Sequence, residues 1–157
     1  MPERKLLLAR PHPFIMGPMA DALTQGGFLP VARSAGATPS LDDDIVGAVI
    51  STAVVSSVPE HYADVYITIR NRCPTLPVVF ATLLVAEQFA AVLRDALARR
   101  GASIDVATLE ALVRGDAMER TPRLVLLVDK SAMERHAALV PALLQGWFLG
   151  AEAVARR

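Results

Sequence analysis

The chain has 157 residues, sixteen Lys and Arg against sixteen Asp and Glu, and 53% apolar residues. That length predicts one domain over 1–157 with a sizeable core. The balanced charge argues against non-specific nucleic-acid binding, which runs on a clustered cationic face. Cys73 is the only cysteine, so an intrachain disulfide is excluded and a reducing, cytoplasmic setting is expected. It precedes Pro74 with no His close in sequence, and reads as a small hydrophobe at a helix end rather than a nucleophile. No secretory signal is legible, because Arg10 and Pro11 interrupt the leucines that follow Lys5. Pro141, Gln145 and Glu152 interrupt the apolar stretch Leu139 to Val154, which is too short to span a bilayer.

In chain order, Lys5 to Ala9 reads as a short buried strand. His12-Pro13 opens a helix whose apolar face is Ile15, Met19, Ala22 and Leu23, stopped by Gly26-Gly27. Phe28 to Arg33 is a second strand. Ser34 to Asp44 reads as loop, with room for about one helical turn near Asp42. Ile45 to Val55 is nearly uncharged and rich in Val and Ile, the pattern of a central parallel strand. A helix follows from Glu60 to Arg72 on a stripe of Tyr62, Val65, Tyr66 and Ile69, with Arg70 and Arg72 at its favourable C-terminal end. Val78 to Thr82 is the fourth strand. A long helix, Val85 to Arg99, buries Val85, Phe89, Val92, Leu93 and Leu97. Ser103 is expected to cap a further helix running to Arg114. Arg123 to Val128 is the fifth strand, and a last helix begins near Ala132 or Met133 and runs to Ala155.

Alternating strands and helices predict an α/β fold: an open parallel five-stranded sheet of flavodoxin-like order 2-1-3-4-5, helices on both faces, and an extra helix between strands 4 and 5. In that order the ligand crevice lies at the C-terminal ends of the strands. The residues expected there are Arg10, Thr82, Lys130 and the strand-three hydroxyls Ser51, Thr52 or Ser56. Guanidinium, hydroxyl and ammonium groups suit a phosphoryl group or another anion.

Three stretches match a known family. Leu6 to Phe14, the run Ile69 to Thr82 through the fourth strand, and Val128-Asp129-Lys130-Ser131 resemble two-component response-regulator receiver domains. The resemblance implies a switch hydroxyl at Thr82 and the strand-five lysine at Lys130. It also implies three carboxylates, two after strand one to hold Mg²⁺ and one after strand three to accept phosphate. Those are missing. Arg10 and Pro11 stand at the acidic-pair positions, and Ile45 through Pro59 contains neither Asp nor Glu. The acceptor position aligns with Ser51, Val54 or Val55, and none is a carboxylate. Mg²⁺ requires hard oxygen ligands and the phospho-acceptor an anionic carboxylate, so the resemblance implies a pseudo-receiver. Asp42, Asp43 and Asp44 precede strand three and fall at the wrong end of the sheet to substitute. Asp129 is a single acid, expected to pair with a neighbouring base. Arg10 either replaces the metal's charge and binds an anion, or lies over an apolar rim.

The last helix carries Leu139, Val140, Leu143, Leu144, Trp147, Phe148 and Leu149, wider than the single stripe that a helix on a sheet needs. A homodimer through Leu143, Leu144, Trp147 and Phe148 is therefore expected. Other chemistries lack their motifs. No Gly-x-Gly-x-x-Gly, P-loop or Gly-x-Ser-x-Gly is present. His12, His61 and His136 show no metal-ligand spacing, with His61 and His136 expected on helix surfaces. The cobalamin pattern fails at Arg10 and Ile15, and the chain lacks a hydroxyl-rich loop for FMN. No cofactor, catalytic residue, metal site or membrane contact is expected. The reading is a non-enzymatic, phosphorylation-independent regulatory module whose partner is a protein, a regulator or kinase. The alternative is a flavodoxin-like small-molecule or anion-binding domain, enzymatic in the extreme, using the same crevice.

Overall fold

Both phases of each central strand are apolar, and each phase feeds a different core. In the computed structural model, which describes residues 4–9, 13–32, 45–52, 61–116 and 119–155, Leu6 and Leu8 of β1 (Lys5–Ala9) face one core, Leu7 and Ala9 the other. Val49 against Ala48 and Ile50 divides β3 (Ile45–Ser51) in the same way. In β4 (Val78–Thr82) the division is Val79 and Ala81 against Val78 and Phe80. In β6 (Leu124–Asp129) it is Leu126 and Val128 against Val125 and Leu127. A sheet covered on both faces is the environment in which such uninterrupted apolar runs are stable.

The strands are all parallel, in the order β2-β1-β3-β4-β6-β5, with β2 spanning Leu29–Ala32 and β5 Asp105–Thr108. On one face lie α1 (Pro13–Gln25), α4 (Leu109–Arg114), α5 (Lys130–Arg135) and α6 (Val140–Ala155). On the other lie α2 (Tyr62–Arg72) and α3 (Ala86–Ala98). The stripe residues Tyr62, Val65, Tyr66 and Ile69 of α2 are buried, as are Phe89, Leu93 and Leu97 of α3. Val85 and Val92, expected among them, are exposed, Val85 because it precedes the first turn of α3. In α1, Met16, Met19, Ala22 and Leu23 are buried; the side chain of Ile15 lies outside the described residues. Gly27 closes α1 at φ +92, a left-handed conformation that favours glycine, and the Phe28 amide donates to Leu23 O at 3.0 Å.

The expected order 2-1-3-4-5 is present within this sheet, with β6 as its fifth strand, but the sheet has a sixth. The segment expected to be a helix capped by Ser103 instead forms β5 and the short α4. Ile104, Val106 and Thr108 are β-branched, and the outer edge of β6 is open to pairing, with Val106 opposite Val125 and Thr108 opposite Leu127. Thr108 is the true cap, its Oγ1 accepting from Ala111 N at 3.2 Å. The predicted single last helix is two. The α5 ladder ends where His136 N donates to Ala132 O, the chain turns at 136–139, and it restarts with Pro141 in the first turn of α6, where a missing N–H is harmless. Cys73 is the C-cap of α2. His61 caps its other end, with Nδ1 accepting from Ala63 N at 3.1 Å. His136 ends α5 and, half-buried rather than on a bare helix surface, lies with Arg135 against Glu110 of α4. The expected turn near Asp42 and the segment from 53 to 60 fall outside the described residues.

α6 approaches β3 closely. A Cβ on Gly47 would lie 2.2 Å from Phe148 Cδ1 and 2.8 Å from Leu6 Cδ2. Only glycine allows the Phe148 ring to seat there, edge-on to Phe28 at 5.7 Å.

Candidate functional site

Where consecutive connections leave neighbouring parallel strands for opposite faces, a crevice opens at the strands' C-terminal ends. This sheet has two such places. β1 leads to α1 on one face while β3 leads to the face that carries α2. Because β5 lies beyond β6, β4 leads to α3 on one face and β6 to α5 on the other. The register carries the predicted hydroxyls to this edge: Ser51 is opposite Ala81, and Thr82 is opposite Asp129. Thr52 follows Ser51, its amide donating to Ala81 O at 2.9 Å. Ser51, Thr52 and Thr82 are all buried. The Thr82 hydroxyl accepts from Leu84 N at 3.1 Å, closing the turn into α3. Of the candidate acceptor positions, Ser51 ends β3; Val54, Val55 and also Arg10 lie outside the described residues.

The group at the second crevice is Asp129, which is 3% exposed. Its Oδ1 accepts from Ala132 N at 2.6 Å, capping α5, and its Oδ2 accepts from Ala86 N at 2.9 Å, capping α3. The residue that flanks α3, Val85, has no acceptor of its own. Two helix N-termini thus converge on one carboxylate, in the place where their exposed N–H groups and dipoles favour an anion. The expectation that Asp129 pairs with a neighbouring base is corrected: its partners are amides. An Asp immediately before a helix is a legible N-cap signal, but its second partner, 43 residues away in sequence, is not legible at all.

Lys130 directly follows the end of β6. It is the first residue of α5, with Nζ 3.9 Å from Glu134 Oε1, and it lines a groove of about 190 Å³ shared with Pro18, Asp21 and Gln25 of α1. The register gives the place beside Thr82 to Asp129 and turns Lys130 toward α1. The structure therefore brings Ser51, Thr52 and Thr82 to one edge, with Lys130 one residue beyond Asp129. The crevice residues do not fit Mg²⁺: the described edge offers hydroxyls and a carboxylate whose two oxygens already serve amides. Beside Thr82 the chain exposes three consecutive apolar side chains, Leu83, Leu84 and Val85; sequence reading had placed Val85 on a buried helix face and had not singled out the two leucines.

The residues expected at a dimer interface on the last helix pack within the chain. Leu144, Trp147 and Phe148 are at most 2% exposed within the single chain, and Leu143 packs partly buried against the same core. The wide apolar arc exists because α6 lies against α1 and β3 together.

No family model and no curated protein matches the sequence. The structure is similar to the crystal structure of a response regulator receiver protein from Sinorhizobium medicae WSM419. The two share a TM-score of 0.50 and 17% sequence identity, over 92% of this chain and 95% of that one. The chain has a receiver-like, flavodoxin-type parallel α/β fold. Among the described residues no helix is long and apolar enough to cross a membrane.

Proposed function

We propose that the chain is a regulatory protein-interaction module that uses the receiver-like scaffold without aspartyl phosphorylation. The observation that carries this reading is the state of the crevice. No Asp or Glu occurs from Ile45 to Pro59, Arg10 and Pro11 stand where an acidic pair would, and Asp129 serves two helix ends. A phospho-acceptor and its metal have no anionic ligands there. The exposed Leu83-Leu84-Val85 rim beside the crevice is the kind of apolar surface that a protein partner covers. The small-molecule alternative is less favoured at this site, because the anion that two helix N-termini attract is supplied by the chain itself.

Intact-mass measurement after incubation with acetyl phosphate and Mg²⁺ tests the reading. The expected result is no phosphoryl adduct and no saturable Mg²⁺ binding by calorimetry. Any protein partner retained from a native lysate is expected to bind equally with and without acetyl phosphate, and Leu84→Glu is expected to release it. A stoichiometric adduct, or a partner whose binding follows acetyl phosphate, would overturn the proposal.

A further inference from the structure

The two outer strands of the sheet, β2 and β5, present different edges. In β2, Leu29 N donates to Arg4 O at 2.9 Å, so Leu29 and Val31 serve β1 and the backbone of Pro30 faces outward. Pro30 has no N–H, which blunts that edge against a further strand. In β5, Asp105 N donates to Arg123 O at 2.9 Å, so Asp105 and Ala107 serve β6 and the amide and carbonyl of Val106 point outward. No strand lies beyond β5 among the described residues. Ile104, Val106 and Thr108 are β-branched, the composition that favours strand pairing, and β5 contains no proline. Its one charged residue is Asp105, exposed and without an ion pair to any described residue.

We propose that β5 is a self-complementary edge kept unpaired by the Asp105 carboxylate, and that a second copy of the chain pairs with it once that charge is removed. With a two-fold axis through Val106, the two β5 strands run antiparallel. Val106 of each copy exchanges both backbone bonds with the other, and Ile104 falls opposite Thr108 in a second pair of outward-facing residues. Side chains alternate across the sheet: Ile104 and Val106 lie on the face of α2 and α3, Ala107 on the opposite face. Asp105 therefore shares the face of Ala107. The two-fold register sets Asp105 opposite Ala107 of the second copy and diagonally across from the Asp105 of that copy, within about 8 Å on one face. Two carboxylates that lose water beside each other oppose the pairing that the backbone favours. The backbone thus selects the partner, a copy of the same edge, and the charge controls it. This edge is separate from the crevice at the strand C-termini and stands whether or not the proposed function does.

Light scattering at high micromolar concentration tests this. Asp105→Thr is expected to have twice the parent's mass, while Asp105→Lys, which restores like charges across the two-fold axis, is expected to keep the parent's mass. Adding Val106→Pro to Asp105→Thr removes the outward amide, as Pro30 does on β2, and is expected to return the parent's mass. If that double variant does not fold by circular dichroism, amide exchange decides: the Val106 amide is expected to exchange slowly in Asp105→Thr and fast in the parent. The proposal is overturned by an Asp105→Thr variant of the parent's mass, by an Asp105→Lys variant that associates equally, or by a folded double variant that stays associated. A Val106 amide that exchanges as fast in Asp105→Thr as in the parent overturns it too. So do species larger than twice the parent's mass, because a closed two-fold contact uses up the edge.

Discussion

Asp129 shows how one side chain can join two elements that the chain order keeps apart. By capping α3 and α5 together, it satisfies a buried amide at each N-terminus. Losing a cap costs about 1 kcal/mol, and a buried amide left unpaired adds to that. Asp129→Ala is therefore expected to lower stability by about 2–4 kcal/mol in urea unfolding. Asp129→Asn, which keeps one acceptor oxygen but cannot serve both amides, is expected to lose about half as much. Gly47 is the converse case, a residue defined by what it lacks. Adding a Cβ there forces Phe148 and Leu6 aside, so Gly47→Ala is expected to cost about 1–3 kcal/mol. Combined with Phe148→Ala, which vacates the space, its cost should nearly vanish, and a double-mutant cycle by chemical denaturation measures that coupling.

At the scale of elements, the added β5–α4 unit is tied to the sheet by strand pairing and to α5 by charge. Glu110 of α4 receives hydrogen bonds from Arg135 and His136 at the end of α5. The Arg135 hydrogen bond first, and the His136 hydrogen bond next, hold the Glu110 carboxyl below its ordinary range. A depressed carboxyl contributes stability that is complete above the unfolded glutamate range and is lost as pH falls through its lower folded value. Glu110→Gln is thus expected to be less stable than the parent near neutrality, and the two should converge on acidification through that window. Unfolding midpoints across a pH series check this. Parallel curves down to the lowest pH would mean that the clamp contributes nothing. After the break at His136, Pro141 sits in the first turn of α6, where its missing N–H is harmless.

For the whole molecule, the receiver-like sheet is extended by an edge strand and its crevice is closed by an internal carboxylate. The broad apolar face of α6 is spent inside the chain, so Leu144→Lys is expected to unfold the protein rather than to split a dimer. Circular dichroism and light scattering on the same sample distinguish the two, and a folded variant of smaller hydrodynamic size would restore the interface expected from sequence. The acid-free strand-three window and the engagement of both Asp129 oxygens leave no free carboxylate among the described residues of the crevice.

The sequence by itself determined the parallel α/β class and the place of the central strands, because alternation of elements and β-branched runs depend on near neighbours. It also determined the order of the first four strands and the lack of carboxylates around strand three. Thr82 at a strand end, Cys73 at a helix end, the α2 stripe and the Phe89, Leu93 and Leu97 part of the α3 stripe were legible for the same reason. Only the tertiary structure decided that Ile104 to Thr108 pairs as an edge strand, since that depends on an open neighbour in β6. Only it decided that Lys130 turns toward α1 while Asp129 takes the place beside Thr82, because a one-residue difference in register is invisible in an apolar run. The fate of Leu144, Trp147 and Phe148 was decided there as well. An apolar arc records that a surface is covered, and the covering partner is known only when distant segments are brought together.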